Sequence, residues 1–281
     1  MRSSSRLACV TLLALGTCAA AAAQLKREML AYPVSAKPVI SIRNQFGRIT
    51  VSPTSASRVV ATVVHSAAVE IRGQQTENRI ELTTGLDSNS AAKADNVDYQ
   101  VLVPPDACVI LSTAAGSLVA ENLEGDLIFE GTTASVDAHS IRNAHVHVKT
   151  LSGPVTLRQV SNGVIDVTTA SGDVSLQDVT GPMVEVHSGT GRILYSGDPG
   201  DGAYKLVTGT GNIDVFVPFA GQARFKARSV KGKVANAFIA SSATMGLGFA
   251  STQASALRRA PPAAFDLHSF RGNISVRESS K

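Results

Sequence analysis

Residues 165–176 read IDVTTASGDVSL, and this stretch decides the fold. Apolar residues alternate with polar ones on both sides of the pair Ser171 and Gly172. Alternation with a period of two is typical of a β-strand with one buried face. A serine followed by glycine favours a sharp turn, because glycine adopts backbone conformations that other residues avoid. The stretch therefore predicts two short strands joined at a glycine corner.

The same pattern recurs from Gly153 to Gly232 at steps of 19 to 21 residues. Apolar residues mostly stand seven and five positions before each corner, and two and four positions after it. Extended in both directions, the pattern has nine corners, one of them an alanine: Gly47, Gly116, Ala134, Gly153, Gly172, Gly191, Gly211, Gly232 and Gly272. A meander of hairpins has no need of a fixed period, whereas a β-solenoid stacks equivalent residues in parallel ladders about 4.8 Å apart. The predicted fold class is all-β, a single-stranded β-solenoid with coils of about 19–21 residues.

Two segments interrupt the period. Residues 52–104 contain apolar runs that predict four strands, near 59–64, 69–71, 80–82 and 97–103, with a polar loop at 85–96 between the last two. We expect these strands to form irregular coils with longer loops. Residues 237–264 contain glycines and the pair Pro261 and Pro262, which indicate a loop excursion before a final coil at 265–276.

Two phrases of the sequence point to a known family. One is Ile40–Val51, in which Asn44 and Gly47 separate two apolar pairs, and the other is the run 101–104 that leads into Ser112–Leu118. Together with the repeated Ser/Thr-Gly corners, they resemble the bacterial putative-adhesin family of unknown function, also called toast-rack domains, over residues 38–278. The resemblance implies a right-handed β-helix outside the cytoplasm, and it supplies no catalytic motif.

The N-terminus has the three parts of a signal peptide. Arg2 and Arg6 precede a short apolar run, and alanines at 19–23 offer a cleavage site before Gln24. An uncleaved anchor, and a lipoprotein attached through Cys18, are the alternatives. The predicted organisation is a signal peptide at 1–23, a lead-in at 24–37 and the solenoid at 38–281. We expect an exported protein, periplasmic or at the cell surface, with no membrane span in the mature chain.

Composition argues against two modes of binding. The formal charge of +4 falls to +2 without the two arginines of the signal segment, and no basic run suggests a nucleic-acid footprint. Aromatic residues are 5% of the chain and tryptophan is absent, which disfavours sugar stacking as the main binding mode. Cys108 is the one cysteine left after the signal, and its apolar neighbours predict a buried structural thiol.

Two sets of side chains could perform chemistry. Asp166 and Glu185 are equivalent residues of successive coils, so their carboxylates could serve a retaining glycosidase. They belong to a predicted outward column of His147, Asp166, Glu185, Lys205 and Lys226, which we interpret as a solvated charged face. His145 and His147 should point the same way, but no third metal ligand recurs beside them.

Hydroxyl columns flank the corners, three positions and one position before each glycine. A flat array of threonines can match ice or a repetitive polymer, but these hydroxyls flank a turn, so we expect them to stabilise the stacking. The Gly-rich pairs at 189–191 and 209–211 precede strands and not helices, which argues against phosphate binding.

The sequence therefore predicts no catalytic residue, no cofactor and no metal ion. The favoured function is a non-enzymatic cell-envelope binding or scaffold module, a putative adhesin, whose partner is a protein or a surface polymer and not nucleic acid. One alternative is an accessory protein of envelope-stress sensing that docks a membrane partner. Another is a carbohydrate-active β-helix enzyme, which requires a cleft with converging carboxylates.

Overall fold

The computed structural model describes residues 25–86, 96–218, 223–236 and 263–279. This part of the chain contains strands and no helix. The strands are β1 (Leu25–Pro33), β2 (Val39–Pro53), β3 (Arg58–Ser66), β4 (Val69–Thr76), β5 (Arg79–Leu86), β6 (Asp98–Val103), β7 (Cys108–Glu121), β8 (Leu127–Arg142), β9 (His145–Ser152), β10 (Val155–Ser161), β11 (Val164–Ser171), β12 (Val174–Val179), β13 (Met183–Thr190), β14 (Ile193–Ser196), β15 (Ala203–Thr210), β16 (Ile213–Val217), β17 (Ala223–Ser229), β18 (Val234–Asn236), β19 (Ala263–Arg271) and β20 (Ile274–Glu278).

The strands stack as a β-solenoid, which confirms the predicted fold. Each of β2, β7 and β8 forms a coil by bending at its corner, and the later coils consist of a strand before the corner and a strand after it. Strands before the corners pair in parallel as the first ladder, and strands after the corners as the second ladder. The pairing is in register: Ile165 lies between Val146 and Val184, its equivalents in the neighbouring coils.

The interior is a set of apolar columns. In the coil of β9 and β10, Val146 and Val148 before the corner and Val155 and Leu157 after it are fully buried. After four successive corners, the apolar residue seven positions later is buried as well; these residues are Leu123, Ile141, Val160 and Val179. Full burial of one aliphatic side chain contributes about 1.5–3 kcal/mol, so the columns stabilise the stack throughout its length.

The corner glycines also form a column. A Cβ atom on Gly172, whose φ is +147°, would overlap the carbonyl oxygen of Gly153 in the neighbouring coil. Close backbone stacking therefore excludes a side chain on Gly172. The same contact recurs at the other corner glycines, which explains why glycine returns once in each of these coils.

The coils at the C-terminal end do not stack in sequence order. The sequence predicts the coil of β19 and β20 as the last one. In the structure β19 pairs with β15 on one side and with β17 on the other, and β20 likewise lies between β16 and β18. The last coil in the sequence is thus inserted between two earlier ones, and the coil of β17 and β18 lies outside it.

At the N-terminal end, too, a strand lies between partners that are not its neighbours in the sequence. β2 pairs in parallel with β7 on one side, and with β5 and β6 on the other. The predicted strands of residues 52–104 are all present, but only β5 and β6 continue the parallel stack. β3 pairs antiparallel with β6, β4 pairs antiparallel with β5, and β1 pairs antiparallel with β3. The segment that was expected to form irregular coils therefore forms an antiparallel end of the sheet.

Some predicted segments lie outside the described residues. They are the signal segment 1–23, most of the loop 85–96 and most of the excursion 237–264. The predicted lead-in at 24–37 contains β1.

Candidate functional site

The outward side of the first ladder presents a column of charged side chains. We call the outward side of β9, β11, β13, β15, β19 and β17 the ladder face. Neighbouring coils place their equivalent residues side by side along it, in the order His147, Asp166, Glu185, Lys205, Asp266 and Lys226. With strands about 4.8 Å apart, the column is a linear array of ionisable groups.

The charges along the column are paired. His147 Nδ1 lies 3.2 Å from Asp166 Oδ2, and Lys205 Nζ donates to Glu185 Oε1 at 2.6 Å. His187 Nε2 lies 2.7 Å from the same Glu185 oxygen. The hydrogen bond from Lys205, and next that from His187, lower the pKa of Glu185 below its ordinary value. Glu185 is therefore held as a carboxylate.

A shallow groove runs beside this column, where the strands of the first ladder begin. Its volume is about 450 Å³. Ala203 and Ala264 line it with small apolar side chains, while Met183 and Arg224 lie at the two ends of the same row of residues. The groove thus combines an apolar lining with the charged column along one side.

The predicted carboxylate pair lies on this exposed face. Asp166 and Glu185 are adjacent in the ladder, as the sequence predicts, and their side chains are 42% and 30% exposed. Each is paired with a basic group, and Glu185 does not have the raised pKa that a glycosidase acid requires. The arrangement agrees with a solvated charged face, and of the two carboxylates Glu185 alone lines the shallow groove.

The histidines do not assemble a metal site within the described ranges. No group of three or more His, Cys, Asp or Glu side chains with suitable geometry occurs among the residues that the structure describes. His147 instead contacts Asp166. The main chain N–H of His145 donates to Asp126 Oδ1 at 3.0 Å.

The hydroxyl column three positions before the corners has a structural role, as predicted. Thr150, Thr169 and Thr208 are almost fully buried. Thr150 Oγ1 donates to the carbonyl of Ser152 at 3.0 Å, and Thr208 Oγ1 donates to the carbonyl of Gly191 at 3.2 Å. These hydroxyls are unavailable to an external ligand because the corner carbonyls already engage them.

Cys108 differs from its predicted environment. It is half-buried on the outward side of β7 and not part of the interior. Burial, and secondarily Asp126, raise the pKa of its thiol, which keeps it in the less reactive thiol form at neutral pH. The alternation of β7 explains the difference, since Val109 and Leu111 take the two inward positions.

Asp266 belongs to the charged column, but sequence order does not place it there. Stacking in sequence order would put Lys205 directly beside Lys226, and like charges at directly opposed positions destabilise a sheet. Asp266, at the equivalent position of the last coil, separates the two lysines in the structure. This repulsion is the sequence signal that could have revealed the inserted coil.

Comparisons with known proteins agree with this architecture. The family described as Toastrack DUF4097 matches residues 39–277. The chain belongs to the Toastrack family. Among curated proteins none matches its sequence significantly.

Solved structures similar to this Toastrack chain share little of its sequence. A Bacteroides fragilis structure described as a putative adhesin is 14% identical, covers 90% of this chain and 97% of its own, and has a TM-score of 0.53. A Clostridium sporogenes putative cell adhesion protein is 12% identical over 91% of this chain and all of its own, with a TM-score of 0.32. The B. fragilis similarity supports the fold of the Toastrack chain. In the described part of that chain, no helix has the length and apolar character needed to cross a membrane.

Proposed function

We propose that this Toastrack protein is an exported, non-catalytic binding or scaffold module of the cell envelope, which binds a protein or a surface polymer through the ladder face. The charged column beside the apolar groove is the observation that supports this function best. Regular spacing along a rigid stack suits an extended partner, because one geometry recurs in successive coils. The description of the B. fragilis relative as a putative adhesin supports adhesion as the form of this binding.

A binding role also suits the chemistry of the column. Lys205 and His187 hold Glu185 as a carboxylate, and both Glu185 and Asp166 are paired with basic groups and accessible to solvent, which suits recognition of a charged surface more than proton transfer. The carbohydrate-active alternative requires that Asp166 or Glu185 be essential for hydrolysis. We expect the exchanges Asp166→Asn and Glu185→Gln to leave any glycan turnover at the level of the background.

Site-specific photo-crosslinking tests the ladder face in intact cells. Thr168 and Val207 lie on this face beside the charged column, and Gln177 lies on the outward side of the second ladder. A benzophenone amino acid at either of the first two positions is expected to form a reproducible adduct, and at Gln177 none. Equal adducts at all three positions would refute binding through the ladder face.

Reversal of the charges along the column tests the column itself. Glu185→Lys, Lys205→Glu, Asp266→Lys and Lys226→Glu together invert its polarity but keep opposite charges at neighbouring positions, so folding should be retained while the crosslinked adduct is lost. An adduct consisting of one membrane protein, without binding to a glycan array, would favour the sensing accessory over the adhesin. An adduct unchanged by the reversal would show that the column does not contact the partner.

Export is tested separately. The signal peptide predicts that the protein recovered from the cell envelope begins at Gln24, which mass spectrometry of its N-terminal peptide measures. A diacylglyceryl group on Cys18 would identify the lipoprotein alternative, and an intact Met1 in the membrane fraction the uncleaved anchor.

A further inference from the structure

In the two coils at the C-terminal end of the stack, the residues before the corner glycine differ from those of the other coils. In most central coils the two residues before the corner are small and uncharged, as in Gly189-Thr190 and Gly209-Thr210, and Leu151 is the bulky exception. At the same positions the inserted coil has Phe270 and Arg271, and the outermost coil has Val230 and Lys231. Since the corner forms with glycine and threonine, the fold does not explain the bulky apolar and cationic residues.

These residues form one exposed patch. Val230 and Phe270 are 57% and 50% exposed. The main chain N–H of Lys231 donates to the carbonyl of Phe270 at 3.0 Å, which holds the two corners side by side. Lys231 Nζ and Arg271 Cζ lie 5.8 and 5.9 Å from the centre of the Phe270 ring. Apolar and cationic groups are thus interleaved on one corner.

The charge around this corner is strongly one-sided. Residues 223–236 contain five basic side chains and no acidic one, and all five are exposed: Arg224, Lys226, Arg228, Lys231 and Lys233. In the sequence no acidic residue occurs between Asp214 and Asp266. The nearest carboxylate to Lys226 in the ladder, Asp266, lies 3.9 Å from it and also contacts His268 at 2.6 Å. The small net charge of the whole chain conceals this local excess.

We propose that this corner, formed by Val230, Lys231, Lys233, Phe270 and Arg271 and here called the basic corner, docks the protein on a membrane surface that contains anionic lipids. Basic residues near such a surface are attracted to its negative potential, and exposed apolar side chains enter the boundary between headgroups and acyl chains. This site lies at the corner end of the ladder face, where Phe270 stands four residues along β19 from Asp266 of the charged column.

Protection of a sheet edge and binding of a soluble polyanion each account for less of the basic corner. Lysines on an edge strand prevent edge-to-edge pairing, but that purpose does not require exposed Phe270 and Val230, which favour association. A soluble polyanion would bind the cations, but it would leave the apolar side chains in water. A lipid surface accounts for both kinds of residue at once.

Vesicle binding tests the proposal with variants that copy other coils. In the charge variant, Lys231→Thr and Arg271→Thr copy Thr210, and Lys233→Asn copies Asn212 at the equivalent position. The control variant also removes three cations, but from distant coils, by Lys149→Thr, Arg158→Gln and Arg192→Asn. All chains retain the same N-terminus, so any contribution from it is equal in each. Binding is measured by co-sedimentation with phosphatidylcholine vesicles, with and without phosphatidylglycerol.

The expected result is binding to the anionic vesicles that weakens with added salt. The charge variant should bind about a hundredfold less tightly, since each cation near the surface contributes about fivefold. The control variant should bind as the unchanged chain does. Equal binding by the charge variant, equal binding to neutral vesicles, or binding to single-stranded DNA without binding to vesicles would each overturn the proposal.

A fluorescent probe keeps the test independent of the folding of the charge variant. The chain has no tryptophan, so Phe270→Trp introduces a single reporter. Leu151→Trp is a matched control, because Leu151 has the equivalent position in a central coil and is 57% exposed. Anionic vesicles should shift the emission of the first variant to the blue and leave the second unchanged. No shift at position 270, or equal shifts at both positions, would contradict docking through the basic corner.

Discussion

Ala134 and Gly131 show how one coil departs from the repeat and still packs at its corner. Ala134 occupies a corner position that is glycine at the other eight corners of the repeat, and it is fully buried. Gly131 stands three positions earlier, where most coils have a buried hydroxyl. A Cβ atom on Gly131 would lie 2.8 Å from the Ala134 methyl group. The methyl group therefore fills the place of the missing side chain, and the two departures compensate each other.

This compensation predicts a coupling between the two positions. Gly131→Thr alone should destabilise the protein because the new side chain collides with the Ala134 methyl group. Ala134→Gly should relieve that collision in the double variant, which then has the composition of an ordinary coil. Urea unfolding of all four members of the cycle should give a favourable coupling free energy of about 1–3 kcal/mol. Simple additivity would show that the methyl group does not exclude the side chain.

The strands show what alternation and spacing can and cannot predict. Nine corners and the inward residues of their coils follow from the period, because each strand exposes alternate residues to a common interior. The spatial order of the coils does not follow from it, since equivalent residues are interchangeable between neighbouring coils. Only interactions between specific coils distinguish the possible orders, as Asp266 between Lys205 and Lys226 does. In the charged column, sequence reasoning therefore identified five residues and missed the inserted sixth.

The packing of aromatic rings depends on the insertion of the coil of β19 and β20, so the insertion can be tested by mutation. The Phe265 ring lies 4.6 Å from that of Tyr204 and 5.0 Å from that of Phe225, measured between ring centres. Phe265 is 2% exposed, whereas Phe225 is half-buried. Phe265→Ala should lower the free energy of unfolding by about 3–5 kcal/mol. Phe225→Ala should lower it by less, because its ring lies at the outside of the aromatic stack.

Chemical denaturation of the two variants decides between the coil orders. If the coils stacked in sequence order, Phe225 would contact Tyr204 directly and Phe265 would be outermost. The larger loss would then belong to Phe225→Ala.

At the scale of the whole molecule, buried tyrosines occur towards both ends of the stack. Tyr99 in β6 shares a hydrogen bond of 2.7 Å with Thr84 Oγ1, and Tyr204 in β15 donates to the carbonyl of Pro199 at 2.6 Å. Burial is the main cause that raises the pKa of each to about 12, from an ordinary value of 10. Burial also raises the pKa of Tyr195, next to Tyr204. Both regions therefore favour the protonated phenol.

Stability should consequently fall in alkali. Above about pH 10 the unfolded chain releases phenolic protons that the folded chain retains up to about pH 12, so unfolding becomes more favourable as the pH rises through this window. Each such tyrosine contributes a slope of about 1.4 kcal/mol per pH unit. Urea midpoints measured between about pH 9 and pH 12 should decline accordingly.

The variant Tyr204→Phe separates this effect from the titration of lysines. It removes one buried phenol, so the decline should be shallower than in the unchanged chain. An identical decline in both would assign the alkaline loss to other groups.

The inserted coils also determine how the molecule would respond to tension. β2 and β19 each have hydrogen-bonded neighbours on both sides, whereas edge strands such as β1 have one. A pull along the chain can peel β1 away bond by bond, but it then meets a strand clamped between two others. Force directed along a clamped strand loads the hydrogen bonds to both neighbouring strands in shear, so many of these bonds must break together. A stack with this arrangement at each end resists extraction from either side.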